Sequence, residues 1–205
     1  MSPADTLEAK RIAQALHAQR IGNRVVVLKE ATSTNDVVFT MAAENDEGLV
    51  VFAERQTAGR GQHGRRWESA PGKGLWFSVL LRPNVAPNES PRLTSWAART
   101  IAATIASELS VAATVKPPND VYVGGRKVAG VLLEMRAVPA APNVGILGIG
   151  VNVGHTADDF PQEIRETATS LSLASGKSID RHAIAISILR DLDRTYAHAL
   201  TVTEL

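Results

Sequence analysis

VYVGGRKVAGVLLEM, Val121 to Met135, is the stretch on which the fold turns. Val121–Val123 and Val128–Met135 are apolar, β-rich runs of strand length, and Gly124-Gly125 between them has the chemistry of a two-residue hairpin turn. A turn that short reverses the chain, so the two strands pair antiparallel. Outward from it, Ala112–Lys116 and Val144–Val151 read as further strands with short connections. Towards the N-terminus, Arg24–Lys29, Leu49–Glu54 and Leu75–Arg82 read as three more. Helical spacing marks Leu7, Ile12, Ala15 and Leu16, capped by Asp5 or Thr6, and a segment through Val37, Val38, Phe39 and Met41 capped by Ser33. It also marks Thr94–Leu109 and a closing helix from Arg181 to about Ala199, while Pro83 to Pro91 reads as a surface linker. This order predicts an α+β (mixed α/β) domain, a largely antiparallel mixed sheet packed by helices on one face.

A chain of 205 residues fits a single domain spanning 1–205. Hydrophobic residues at 44% can fill a core, and aromatics at 4% make that core aliphatic. Lys and Arg (22) nearly balance Asp and Glu (21), which argues against a broad nucleic-acid face or a polybasic membrane anchor but leaves room for a local basic loop. The absence of cysteine excludes disulfide scaffolds, thiolate metal sites and thiol nucleophiles. The N-terminal residues are charged throughout, and the most apolar long stretch, Ser95 to Val115, is interrupted by Arg99 and Glu108. No membrane span or leader is expected, and the expected location is the cytoplasm.

Four segments carry candidate chemistry. Gln56 to Trp67 (QTAGRGQHGRRW) sets Gly59, Gly61 and Gly64 among Arg60, Arg65 and Arg66. Glycine lets backbone N–H groups approach an anion, and arginine adds permanently charged donors, so the loop reads as a phosphate or carboxylate cradle. The plainer alternative is a solvated basic loop, since the Gly-Lys-Ser/Thr of a P-loop is missing. Lys116-Pro117-Pro118-Asn119-Asp120, followed by Arg126-Lys127, holds a lysine and a carboxylate on rigid turns suited to an anionic transition state. Taken alone, the same residues are an ordinary Pro-Asn-Asp turn with a snorkelling lysine. Ser33-Thr34-Asn35 at a helix start either caps the helix or anchors a polar ligand. Gly148-Ile149-Gly150-Val151-Asn152 is half of a dinucleotide fingerprint and lacks the third glycine. His17, His63, His155, His182 and His198 show no metal-ligand spacing, and four of them are expected at the surface. No nucleophile elbow is present.

Together these segments resemble the catalytic domain of biotin–protein ligases. The resemblance rests on TSTN at Thr32–Asn35, GRG…GR.W at Gly59–Trp67 and PND at Pro118–Asp120. RKVAG at Arg126–Gly130, GIGVN at Gly148–Asn152 and ATSL at Ala168–Leu171 complete it in the family's order. It implies a class II synthetase-like biotin/lipoate ligase fold and two half-reactions: biotin joins ATP as biotinyl-5′-AMP with loss of pyrophosphate, and a lysine of a biotin carboxyl carrier domain then takes the biotin. ATP, Mg²⁺ and biotin are the implied small molecules.

By resemblance, Lys127, Arg60 and Asp120 are the catalytic set, Lys127 neutralising the reacting oxygens. Ser33, Thr34, Asn35, Gln56, Gly59, Arg60, Gly61, Gln62, Lys127 and Gly130 are implied at biotin. Arg60, Arg65, Trp67, Asn119, Lys127 and Asn152 are implied at ATP, with Trp67 near adenine. Asp120 is implied either as a Mg²⁺ ligand or as the acceptor of the carrier lysine's proton. The chain departs from the family at Gln62 and His63, where further arginines are usual, and at Pro117, where an aromatic is usual. No helix-turn-helix pattern precedes the domain, so no DNA partner is expected, and the chain stops about where relatives carry a small β-barrel. A homodimer is a family expectation. The alternatives are a lipoate or octanoyl-type ligase, whose Arg-Arg…Gly-Gly…His pattern is missing, and a non-catalytic biotin- or adenylate-binding protein.

Overall fold

The computed structural model describes residues 6–17, 20–83, 85, 89–138 and 141–201. Twelve main elements follow one another: α1 (Ala9–Leu16), β1 (Arg24–Leu28), α2 (Thr34–Met41), β2 (Leu49–Ala53), β3 (Gly74–Leu81), α3 (Ser90–Leu109), β4 (Ala113–Lys116), β5 (Asp120–Val123), β6 (Arg126–Val138), β7 (Ala141–Asn152), α4 (Leu171–Ser175) and α5 (Arg181–Thr201). The strands form one seven-stranded sheet in the order β1-β2-β3-β7-β6-β5-β4. Only β1 and β2 run parallel, and α2 bridges them as a crossover, which parallel neighbours require. Every other pair is antiparallel, as the hairpin at Gly124-Gly125 implied.

Strand alternation sorts the side chains into two cores. Val50 and Phe52 of β2, Leu75, Phe77 and Val79 of β3, and Leu147, Ile149 and Val151 of β7 pack under α1, α3 and α5. Phe52 and Phe77, directly opposite across β2 and β3, stack with centroids 4.8 Å apart. The other face of the same strands carries Leu49, Val51, Leu80, Val144 and Ile146, covered by Val38 and Ala42 of the α2 region. Helices therefore lie on both faces of the sheet, and the expectation of one helical face is corrected. Both faces of β2 are apolar, so its continuous run LVVFA has to be covered twice.

Other expectations shift in detail. The first helix has Glu8 at its N-cap, so Thr6 does not cap it, and Asp5 lies outside the described residues. The last residues of the Pro83–Pro91 stretch belong to α3, where Pro91 sits in the first turn, a position in which its missing N–H costs nothing. The short α4 was not anticipated. Its N-cap Ser170 accepts a hydrogen bond from the Leu173 amide at 3.1 Å. A buried pair ties the ends of the chain to the sheet: Arg181 Nη2 lies 2.8 Å from Glu54 Oε2, and Glu54 Oε1 accepts from the Leu7 amide at 2.7 Å. Among the described residues no helix is long and apolar enough to cross a membrane.

Candidate active site

The cavity begins where the second core stops. Along β7 the residues facing α2 are Val144, Ile146, Gly148 and Gly150, so apolar side chains give way to bare backbone. The glycines are needed for space. A Cβ on Gly148 would collide with the Asn35 carboxamide, and one on Gly150 would stand 2.5 Å from Trp67 Cε2. Gly130, paired with Gly150 across β6 and β7, would place a Cβ 2.8 Å from Trp67 Cζ3. The GIGVN segment is therefore a cavity floor in mid-sheet and not a dinucleotide turn.

Against this floor the start of α2 supplies the polar wall. Ser33 stands at the N-cap but its side chain caps nothing, which decides against the plain capping reading of that hydroxyl. Gln56 Oε1 accepts from the Thr34 amide at 2.8 Å and from the Thr34 hydroxyl at 3.1 Å. Asn35 Oδ1 accepts from Ser78 Oγ at 2.5 Å, and Asn35 Nδ2 donates to Glu134 Oε2 at 2.5 Å. Ser78 and Glu134 were not anticipated. Each nonetheless leaves a trace in the sequence as a polar residue inside an apolar strand, LWFSVLL and VLLEM.

Lys127 reaches this face through a β-bulge. Val121 pairs with Ala129 while Tyr122 pairs with Lys127, so Val128 has no residue opposite it. Val128 and Ala129 both enter the core, and the parity of the strand changes between them. Strict alternation would put Lys127 on the core face with Ala129. The bulge turns it to the side of Gly130, where its Nζ stands 2.6 Å from Asp120 Oδ1 and over the Trp67 ring, 5.2 Å from its centroid. The Lys127–Asp120 contact is an ion pair that is not aligned as a hydrogen bond. The ATSL segment fixes the backbone here: Lys127 N donates to Thr167 O and Thr169 N donates to Lys127 O, each at 2.8 Å.

Arg60 lies against α2. Its Nη1 and Nη2 reach Asp36 Oδ2 and Oδ1 at 2.7 and 2.8 Å, and Nη2 also reaches Glu134 Oε2 at 3.1 Å. Arg136 Nη2 joins from Asp36 at 3.0 Å and Glu134 at 3.2 Å, closing a quartet of two guanidiniums and two carboxylates. The Arg60 hydrogen bond holds Asp36 below the usual carboxylate range and Arg60 still more firmly protonated. Burial pushes Glu134 up, but hydrogen bonds from Asn35 and Arg60 outweigh it and leave the group below its ordinary value.

Ser33, Thr34, Asn35, Gln56, Arg60, Gly61, Gln62, Trp67, Asn119, Lys127 and Gly130 line this first cavity, which has about 50 Å³ free with the Trp67 indole in place. A second cavity of about 670 Å³ opens beyond Trp67, between the arginine loop and residues 152–168. Arg65, Asp120 and Asn152 line it, and Gly61, Gln62, Trp67, Asn119 and Lys127 line both. Gly59 lies outside the lining, packed where a Cβ would stand 2.6 Å from Trp67 O. Asn119 and Asn152 each give one amide N–H to a backbone carbonyl, Val131 O and Thr169 O, both at 3.0 Å, so they brace the walls as well as line them. Of the histidines, His155 and His182 are buried and three are exposed, one fewer than expected. His155 stacks on Phe160 at 4.9 Å, and burial lowers its pKa to about 4.

Residues 27–152 match the model of the biotin/lipoate A/B protein ligase family. The chain is similar to the bifunctional ligase/repressor BirA of Bacillus spizizenii, 36% identical over 95% of this chain and 60% of that protein. A biotin–[acetyl-CoA-carboxylase] ligase of Mycobacterium tuberculosis is 34% identical over 94% of this chain and 73% of its own length. Among solved structures, the biotin protein ligase of Aquifex aeolicus in complex with biotin and ATP superposes with a TM-score of 0.71 at 31% identity, covering 86% of this chain and 69% of that one. The Leishmania major enzyme in complex with biotinyl-5-AMP gives 0.70 at 26% identity, over 85% and 75%. The chain spans about 60% of the length of the Bacillus repressors.

Proposed function

Because the chain belongs to the biotin/lipoate A/B protein ligase family, we propose that it is a biotin–protein ligase, activating biotin with ATP and passing it to a lysine of a biotin carboxyl carrier domain. One observation carries this reading: a glycine-floored cavity walled by amides and hydroxyls meets a larger, arginine-rimmed cavity, and Lys127 lines both. The lining of the first suits a compact acid with an amide-like head, once the Trp67 indole has moved aside. A nucleotide triphosphate fits the second. Relatives in complex with biotin and ATP, and with biotinyl-5-AMP, support the pairing.

In the first half-reaction a biotin carboxylate oxygen attacks the α-phosphorus of ATP, and the bond to pyrophosphate breaks as the acyl–phosphate bond forms. Two anions must approach each other, so the largest contribution is positioning and fixed positive charge at the seam. Lys127 supplies that charge, its ammonium held by Asp120 and the Trp67 face. Arg65, on the rim of the second cavity, faces the phosphates. The acid enters when the Trp67 indole lifts from Gly130 and Gly150, since about 50 Å³ does not admit it otherwise. In the second half-reaction the carrier lysine's neutral amine attacks the acyl carbon, AMP leaves, and the amine's proton passes to the Asp120 carboxylate.

Asp120, whose carboxylate faces the Lys127 ammonium, does not by itself make a resident Mg²⁺ site. Mg²⁺ belongs with the triphosphate as Mg-ATP, which is how this ion, reluctant to shed its waters, commonly arrives. Pyrophosphate release in the presence of Mg-ATP, compared between biotin and lipoate, tests the reading. Release with biotin and labelling of a carrier domain are expected. Release with lipoate alone overturns the reading in favour of the other branch of the family, and release with neither overturns catalysis.

A further inference from the structure

Glu134 is the only carboxylate among the described residues that touches both the polar wall of the first cavity, at Asn35, and the arginine loop above it, at Arg60. Its Oε2 accepts from Asn35 Nδ2 at 2.5 Å and from Arg60 Nη2 at 3.1 Å, while Oε1 takes Arg136 at 3.2 Å. Asn35 is consequently bonded at both ends of its amide, since Ser78 Oγ donates to its Oδ1 at 2.5 Å. An amide can point either way round, and here only one way works. Reversing it would set an oxygen against the carboxylate; the Ser78 hydroxyl, also 2.7 Å from Thr34 Oγ1, can donate or accept, so Glu134 is the partner that fixes the direction. Held this way, Asn35 keeps one N–H and one lone pair for whatever fills the cavity.

Above the floor, the same carboxylate helps fasten the glycine-rich loop. Gly61 N donates to Arg65 O at 2.7 Å and Trp67 N to Gly59 O at 2.9 Å, so the loop is closed upon itself. Arg60 fastens it to α2 and β6 through Asp36 and Glu134, beside the Gln56–Thr34 bonds at its start and the packing of Trp67 on Gly130 at its end. We propose that Glu134 is a positioning residue that serves both sides of the acid cavity, fixing the orientation of the Asn35 amide below and holding the Arg60 loop shut above. The proposal rests on the reading of this cavity as the biotin site, and it makes acid recognition and loop closure depend on one side chain.

Glu134→Gln and Glu134→Ala separate the two duties. Glutamine keeps an oxygen that accepts from Asn35 but loses the charge that holds Arg60. Alanine loses both. Biotin binding by calorimetry and amide hydrogen exchange over residues 59–67 of the unliganded protein are the two readouts. For Glu134→Gln, biotin affinity stays within about threefold of the unaltered protein and loop exchange rises about tenfold or more. For Glu134→Ala, exchange rises similarly and biotin affinity also falls about tenfold or more, both sizes being those of losing charged or neutral hydrogen bonds. Ser78→Ala serves as the second probe should Glu134→Ala fold poorly: it weakens biotin binding and leaves loop exchange unchanged. A merely structural role would lower the melting temperature without splitting these readouts. Equal biotin affinity in the unaltered protein and in the Glu134→Ala and Ser78→Ala variants, or unchanged loop exchange in both Glu134 variants, overturns the proposal. An unaltered protein that binds no biotin overturns the reading of the site and the Asn35 half with it.

Discussion

Lys127 Nζ stands 2.6 Å from Asp120 Oδ1 because Val128 has no partner on β5. That extra residue spends itself in the core and releases the lysine to the opposite face, where it looks onto both cavities. Lys127→Ala should therefore lower the rate of biotin-dependent pyrophosphate release by about 10²–10³, the usual loss for removing a group that stabilises developing charge. The variant keeps its fold, since Val128 and Ala129, not Lys127, fill the core at the bulge. Steady-state kinetics with biotin and Mg-ATP check it, and a rate near that of the unaltered protein removes Lys127 from the chemistry.

Gly148 carries a more local prediction. Its missing side chain is what admits the Asn35 amide, and that amide is held by Ser78 and Glu134 and cannot give way freely. Gly148→Ala is expected to raise the KM for biotin about tenfold or more while the KM for ATP changes little, because the second cavity does not include this residue. A parallel rise in both constants would show that the two cavities are not separable in this way.

Much of this was readable in the sequence, and what was not has physical reasons. The strands and the hairpin followed from apolar runs bounded by Gly124-Gly125, and the glycine loop and Lys127 followed from their chemistry. Alternation alone misplaces Lys127, since a one-residue bulge is invisible in a pattern of period two. The second helical face escaped because the apolar stripe of α2 is short, only Val38 and Ala42 being fully buried there. Asp36, Glu134 and Arg136 escaped because the quartet joins α2 to β6 across about 100 residues of chain. The resemblance puts Arg60 at biotin and at ATP, and only the folded chain shows that Asp36 and Glu134 already engage its guanidinium.

His155 should make stability depend on pH in a definite window. It is buried among Trp76, Phe160 and the Lys73–Asp159 pair, and burial lowers its pKa from 6.5 to about 4. Above pH 6.5 both folded and unfolded chains carry it neutral, and it contributes no pH dependence. Between about 6.5 and 4 the unfolded chain takes up a proton that the folded chain refuses, so stability falls as pH falls. The full shift corresponds to about 3 kcal/mol. Chemical denaturation at pH 7, 5.5 and 4.5 should show that decline, and His155→Gln should flatten it. His182, lowered chiefly by burial as well, leaves a residual slope in the variant. A slope unchanged by the substitution would place the pH dependence elsewhere.

Gln62 offers the sharpest test of how the intermediate is retained. It lines both cavities, as Gly61 and Lys127 do, at a position where the resemblance leads one to expect an arginine. An acyl adenylate carries its negative phosphate at that junction, and a neutral amide offers it a weaker hydrogen bond than a guanidinium does. Gln62→Arg should slow release of biotinyl-5′-AMP several-fold, while the rate of its formation changes less because Lys127 already neutralises the reacting oxygens. A second effect is a new cation in a site that already holds Arg65 and Lys127, whose mutual repulsion acts when the site is empty and is relieved when the adenylate fills it. Both effects favour the bound state, so their sum has one sign. An off-rate equal to or faster than that of the unaltered protein, measured by chasing preformed adenylate, would mean that position 62 does not face the phosphate.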